Sequence, residues 1–97
     1  MTSEGKGAVK ARIETKIAAA FAPQLVSVVD ESSRHAGHGH HHHPDGETHF
    51  RVEIVSDAFA GKSRLERHRM VNAVLAEELK ERVHALAVTA KTPGEAT

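Results

Sequence analysis

The apolar side chains near the start of the chain recur at spacings of three and four residues. They are Val9, Ile13, Ile17, Ala20 and Phe21. This spacing places them on one stripe of a helix, which Ala22 and Pro23 should end. The next segment, "LVSVVD" at 25–30, is short and rich in β-branched residues, so it predicts a strand.

The clearest strand follows a long polar segment. In "THFRVEIVS" the apolar residues Phe50, Val52 and Ile54 alternate with polar ones, which predicts one buried and one exposed face. The preceding residues 31–46 are rich in Gly, Ser and His and end in the turn signal "PDG". They are therefore predicted to form a long loop between the two strands of a hairpin.

A second helix and a third strand are predicted in the last third of the chain. The sequence "SRLE" at 63–66 has the capping-box pattern that starts a helix. "VHALAVTAK" at 83–91 predicts the third strand, and a short helical turn could start at Pro93. The second helix should run to about Arg82, with an apolar stripe of Leu65, Val71, Val74, Leu75 and Leu79.

The resulting order is helix, strand, strand, helix, strand. Two amphipathic helices covering one face of a three-stranded sheet would close a core of this size, so an α+β fold is predicted. The second and third strands are joined through a helix and should run parallel, which makes the sheet mixed. The 97 residues fit a single domain, with residues 1–7 and 94–97 expected to be frayed.

The composition excludes several classes of function. Without cysteine the chain has no disulfide framework, no thiolate nucleophile and no zinc or iron–sulfur site built from its own thiolates. Thirteen basic residues balance thirteen acidic ones, so the positive field typical of nonspecific nucleic-acid binding is missing. No catalytic motif is recognisable, so we expect a binding protein and not an enzyme. No membrane span or secretory signal is recognisable, so a cytoplasmic location is expected.

Histidine is the most unusual feature of the composition. Seven of the nine histidines lie in "HAGHGHHHHPDGETHF" at 35–50. Imidazole binds borderline metals and titrates near neutral pH, so a metal site or a pH response is suspected. The loop candidates are His35, His38 and the run His40–His43. They form either a specific metal site or an incidental His-rich loop that captures zinc, nickel or copper opportunistically.

Two histidines lie outside this segment. His84 opens the third predicted strand and by alternation should share a face with Leu86 and Val88. It is either a histidine packed at the core edge or a metal ligand at a strand end, with partners from the loop. His68 in "RHR" points near the apolar stripe of the second helix, which favours a packing role.

Cationic residues crowd the start of the second helix. They are Lys62, Arg64, Arg67 and Arg69. Because the helix macrodipole makes positive charge unfavourable there, something negative should compensate. The residues therefore either bind an anion or an acidic partner, or they form a solvated basic face.

Several segments together resemble the BolA family. They are "VVDESSRHAGH", "ETHFRVEIVSDAFAGKSRLERHRMV" and "LAEELKERVHALAVTAKTP", which cover nearly the whole chain. The resemblance implies a KH-like fold of the class II type, in agreement with the α-β-β-α-β order. It also implies a heterodimer with a monothiol glutaredoxin around a [2Fe-2S] cluster. In that arrangement the glutaredoxin supplies a cysteine, glutathione supplies its thiol and the BolA protein supplies histidine.

The resemblance also implies which residues bind the cluster. His84 in "HAL" corresponds to the family's C-terminal ligand. The second ligand comes from the loop and is His or Cys in the family, so His35 is the best match, with His38 and His40 as alternates. The implied role is iron–sulfur cluster trafficking or iron and redox regulation, and the protein alone is expected to be a monomer or a weak homodimer.

Two rival functions stay open. Some BolA proteins are described as transcriptional regulators, which implies possible DNA binding at the basic start of the second helix. The turn "FAGKSR" contains Gly61 but lacks the second glycine of the GXXG loop with which KH domains clamp nucleic acid. The other rival is a metal buffer that uses the loop histidines without glutaredoxin. Residues predicted to contact DNA or a protein partner are Lys62, Arg64, Arg67, His68 and Arg69.

Overall fold

The computed structural model describes residues 7–32 and 48–96. A 3₁₀ turn at Asp57–Phe59 follows the second strand, and the short helix predicted at Pro93 is present. Within the described ranges no helix is long and apolar enough to cross a membrane. The elements follow the predicted order: α1 Ala8–Phe21, β1 Leu25–Asp30, β2 His49–Val55, α2 Arg64–Val74, α3 Ala76–Glu81, β3 Ala85–Lys91 and α4 Pro93–Ala96.

The three strands form one mixed sheet in the order β1-β2-β3. β1 and β2 are antiparallel, with Val28 opposite Val52, whereas β2 and β3 are parallel, with Val52 opposite Val88. Parallel neighbours need a crossover connection, and α2 and α3 supply it. The predicted α+β architecture is confirmed, and β3 is an edge strand of the sheet.

The core lies between the helices and one face of the sheet. Phe50, Val52 and Ile54 of β2 are buried, while Arg51 and Glu53 on the other face are exposed. Each fully buried aliphatic or phenyl side chain contributes roughly 1.5–3 kcal/mol, so the packing of α1 against the sheet is a major source of stability. The buried stripe of α1 consists of Val9, Ile13, Ile17 and Phe21.

The second helix differs from its prediction in two ways. Leu75 leaves the helical conformation, with φ −102° and ψ 20°, and divides the predicted helix into α2 and α3. Leu65 is 59% exposed, so the buried stripe begins further along the helix, where Val71 and Leu75 are buried. Periodicity predicts which side of a helix is apolar, but it does not show where the neighbouring sheet stops covering that side.

One carboxylate is buried beside the core. Glu78 in α3 is 1% exposed, and its Oε2 lies 2.8 Å from Arg12 Nη2 and 2.9 Å from Lys16 Nζ. Lys16 also donates a hydrogen bond to Glu78 Oε1 at 3.1 Å. Because a charge is tolerated in the interior only when it is paired, these two cations of α1 allow α3 to dock on α1.

Candidate functional site

His84 lies just before β3, which begins at Ala85 and not at the predicted Val83. Its side chain is exposed, and because the residue lies outside the strand, the alternation of β3 does not define its face. The preceding residue, Val83, is buried, and its amide donates to the Glu78 carbonyl of α3 at 2.9 Å. The His84 amide donates to the Thr48 carbonyl at 2.7 Å, which fixes the main chain at this position.

His49 is the nearest histidine to His84 among the described residues. It is the first residue of β2, and the parallel register pairs it with Ala85. The centroids of the His49 and His84 rings are 6.4 Å apart. His49 Nδ1 lies 2.9 Å from the Thr48 hydroxyl oxygen, within hydrogen-bonding distance. The sequence analysis did not single out His49, and only the strand register could have revealed its position beside His84.

Ser32 and Thr48, which lie at the facing ends of the two described ranges, are hydrogen-bonded to each other beside His84. Ser32 donates from its amide to Asp30 Oδ1 at 2.9 Å, and its hydroxyl donates to the same oxygen. The Ser32 hydroxyl oxygen accepts a hydrogen bond from the Thr48 amide at 3.0 Å. Ser32 and Thr48 are both buried, so this closure is part of the folded domain. The first described range therefore ends, and the second begins, next to the His84 main chain.

The predicted loop ligands His35, His38 and His40 lie outside the described residues, as do the other members of the His40–His43 run. Within 7–32 and 48–96 no group of three or more His, Asp or Glu side chains could hold a metal ion by itself. At this end of the sheet the described residues include two histidines, His84 with an exposed ring and His49 with a half-buried one.

A second site lies at the other end of β3, in a groove between α2 and β3 with a volume of about 450 Å³. The predicted basic residue Arg69 is exposed but does not line this groove. The groove brings together four of the five predicted contact residues with the last part of β3. Its lining consists of Lys62, Arg64, Arg67, His68, Val88, Thr89, Ala90, Lys91 and Glu95.

We call this surface the basic groove. Arg67 is its central cation, and the Arg67 side chain is only 12% exposed. It donates through Nη1 to the Ala90 carbonyl at 3.0 Å and through Nε to the Lys62 carbonyl at 2.9 Å. It also holds both carboxylate oxygens of Glu95, at 2.6 Å and 3.1 Å. Glu95 of α4 therefore supplies part of the negative charge that the sequence predicted near the start of α2.

The pairing with Arg67 makes Glu95 a pH-sensitive contact. The hydrogen bonds from Arg67 and from the Thr92 amide lower the pKa of Glu95 from 4.5 to about 2. A carboxyl with a depressed pKa stabilises the fold above its ordinary pKa, and this stabilisation is lost as pH falls through the folded-state value. We therefore expect wild type to be more stable than Glu95→Gln at neutral pH and to lose this advantage by about pH 2.

The measurement is urea denaturation of both proteins across this pH range. Glu53→Gln, which removes an exposed carboxylate from the sheet, corrects for the general effect of charge. A difference between wild type and Glu95→Gln that stayed constant with pH would contradict the ion pair.

The start of α2 is poorly suited to clamp a phosphate. Gly61 has the left-handed φ of 74° that suits a turn, but Lys62 and Ser63 follow in place of further glycine. The predicted capping box is present: the Ser63 amide donates to Glu66 Oε1 at 2.7 Å, and the Glu66 amide donates to Ser63 Oγ at 3.0 Å. These hydrogen bonds lower the pKa of Glu66, so its carboxylate remains charged at the helix end that a phosphate would approach.

Comparison with known proteins gives consistent matches. A family model described as BolA-like protein matches residues 17–95. The DNA-binding transcriptional regulator BolA of Escherichia coli K12 is 51% identical over 81 residues, which cover 82% of this chain and 71% of the relative. BolA-like protein 1 of Homo sapiens is 48% identical over 96 residues; these cover 96% of this chain but only 66% of that longer protein. The solved structure of BolA1 from Arabidopsis thaliana matches with a TM-score of 0.80 and 36% identity, covering 92% of this chain and 96% of that one.

Proposed function

The chain belongs to the BolA-like protein family, and from this premise we propose that it is a non-enzymatic cytoplasmic partner of a monothiol glutaredoxin. In the heterodimer it helps to hold a glutathione-containing [2Fe-2S] cluster through histidine. The role that follows is iron–sulfur cluster trafficking or iron and redox regulation.

The observation that carries this proposal is the convergence of the loop ends on His84. Thr48 accepts a hydrogen bond from the His84 amide at 2.7 Å and donates one to Ser32 Oγ at 3.0 Å. His35 is three residues from Ser32, and three residues span at most about 10 Å. The hydrogen bonds that join Ser32, Thr48 and the His84 main chain support a proposed site that combines His84 with His35.

The available donors fit a cluster that is shared between two proteins. Neutral imidazole binds iron, and the chain has no thiol, so cysteine and glutathione must come from the partner side. When bound, the cluster supplies an electron-accepting centre, and histidine ligation raises its reduction potential relative to an all-thiolate cluster. On this chain, His84 is presented by the anchored main chain, and its ring must be deprotonated to bind, so acid should weaken the complex.

The experiment that tests the proposal is anaerobic reconstitution with a monothiol glutaredoxin, glutathione, iron and sulfide. Size-exclusion chromatography then reports the heterodimer, and absorption, circular dichroism and EPR spectra report the cluster. A one-to-one complex with a [2Fe-2S] spectrum that differs from the spectrum of the glutaredoxin alone supports the proposal. A heterodimer without a cluster, or no heterodimer, overturns it.

Replacement of the loop histidines should identify the second ligand. We expect His35→Ala to perturb the heterodimer's cluster spectrum more than simultaneous replacement of His40 to His43 by alanine, because the family pattern places the ligand directly after "DESSR". The same visible circular dichroism measurement compares the two variants at equal iron loading. The opposite ranking would assign the ligand to the His40–His43 run.

Metal capture by the loop histidines alone differs from the main proposal because it does not require glutaredoxin. Stoichiometric, tight zinc, nickel or copper binding by the protein alone, combined with a failure to form the mixed cluster, would favour a metal buffer.

The DNA-binding activity in the name of the E. coli relative is a weaker candidate for this chain. The turn before α2 lacks the second glycine of a KH-type clamp, and the Ser63 amide at the start of α2 already donates to the Glu66 carboxylate.

A further inference from the structure

The basic groove is remote from the proposed cluster site. His84 precedes β3 and Ala90 lies near its end, so six residues, or about 20 Å of strand, separate the two regions. We propose that this groove binds an extended acidic peptide segment of a partner protein, through its cationic wall and the outward-facing main chain of β3 at Val88. The inference does not depend on the cluster, because it concerns a different surface.

The cationic wall already holds a carboxylate from the chain itself. Glu95 occupies the groove in a two-point contact with Arg67, at 2.6 Å and 3.1 Å. This contact is the geometry in which a guanidinium recognises an acidic side chain. Lys62 and Arg64 are exposed at the same groove and Lys91 is half-buried. These further cations can bind additional carboxylates of a peptide that runs along the groove.

The edge of β3 provides the main-chain part of the recognition. The Lys91 carbonyl points toward β2, where it accepts from the Ser56 amide at 2.9 Å. The Ala90 carbonyl points the opposite way and accepts from Arg67 at 3.0 Å. Since peptide groups alternate along a strand, the amide and carbonyl of Val88 also point outward into the groove. An extended peptide can pair with this edge, as in β-strand addition.

The lining of the groove favours a peptide over a nucleic acid. Val88 and Ala90 are half-buried there and offer apolar contacts between the charges, which suits a peptide with alternating acidic and apolar residues. The amides of Ser63 and Glu66 are already bonded within the capping box, so they are not available for phosphate.

The test uses a fluorescein-labelled peptide of alternating glutamate and valine, titrated with the full chain and followed by fluorescence anisotropy at low salt. The charge control is the same peptide with lysine in place of glutamate. The backbone control carries a central proline, which cannot extend a strand. We expect saturable binding of the acidic peptide only, weakened by added salt.

Variants locate the binding site. Lys62→Glu with Arg64→Glu should weaken binding about tenfold or more, because two attractive contacts become repulsive. The matched control, Arg69→Glu with Lys80→Glu, reverses two exposed cations outside the groove and should leave affinity unchanged. Glu95→Gln should tighten binding about threefold, because it releases Arg67 from its own carboxylate. Far-UV circular dichroism checks that each variant is folded.

The position of the peptide is checked by NMR. Slowed exchange and shifted signals at the amides of Val88 and Ala90 are expected on saturation. The proposal is overturned if the acidic peptide does not bind at millimolar concentration, or if both charge-reversal pairs weaken it equally. It is also overturned if a short oligothymidylate binds more tightly than the peptide and loses affinity in Lys62→Glu/Arg64→Glu, which would make the groove a nucleic-acid site.

Discussion

Replacing His84 with alanine is expected to remove the cluster bands of the heterodimer that we propose with a monothiol glutaredoxin. The ring of His84 is exposed and contributes nothing to the described core, so its loss removes a ligand without opening a cavity. The hydrogen bond to Thr48 uses the main-chain amide of residue 84 and is retained in the variant. The expected result is loss of most of the visible circular dichroism with an unchanged thermal unfolding midpoint.

The matched control for this result is His68→Ala. His68 is a half-buried histidine that lies in the basic groove and not at the loop closure. Its replacement should leave the cluster spectrum of the heterodimer unchanged. If His84→Ala kept a wild-type spectrum and iron content, His84 would not be a ligand, and the neighbouring His49 ring would become the next residue to replace.

Removing both cationic partners of Glu78 is expected to cause the largest loss of stability. Arg12→Met combined with Lys16→Met keeps much of the side-chain volume on α1 but leaves a carboxylate that is 1% exposed without the partners now at 2.8 Å and 2.9 Å. Breaking a buried ion pair from one side costs about 3–5 kcal/mol, because the remaining charge stays desolvated. The free energy of unfolding from urea denaturation should fall by that amount.

Two further proteins make this measurement decisive. Lys80→Met removes an exposed cation of the same α3 helix and should change stability little. Adding Glu78→Met to the double variant removes the stranded charge and should restore much of the loss, since apolar residues often replace a buried ion pair well. A double variant within about 1 kcal/mol of wild type would contradict the dependence of buried Glu78 on these two cations.

Features that depend on local pattern were predictable from the sequence. The alternation of Phe50, Val52 and Ile54 identified the buried face of β2, because side chains alternate sides in any strand. The pattern "SRLE" identified the start of α2, and both hydrogen bonds of the capping box are present. Each of these predictions used residues within one turn or strand, where geometry leaves few alternatives.

Features that depend on how elements meet were not predictable. The proximity of His49 and His84 follows from the register of two parallel strands, which a single sequence does not define. The burial of Glu78 follows from the docking of α3 on α1, where two cations offset the cost of burying the charge. The closure between Ser32 and Thr48 joins residues separated by a segment whose composition predicts only a loop.

The Ser32–Thr48 closure also bears on how metal preference can change over evolution or in design. The core residues of the described ranges lie at or before Val28 and at or after Phe50, on either side of the closure and of the proposed ligand position 35. Imidazole can be exchanged there for thiolate or carboxylate, which prefer different metals. In the proposed metal site, substitutions at position 35 would therefore change the ligand type while every residue of the described core keeps its identity.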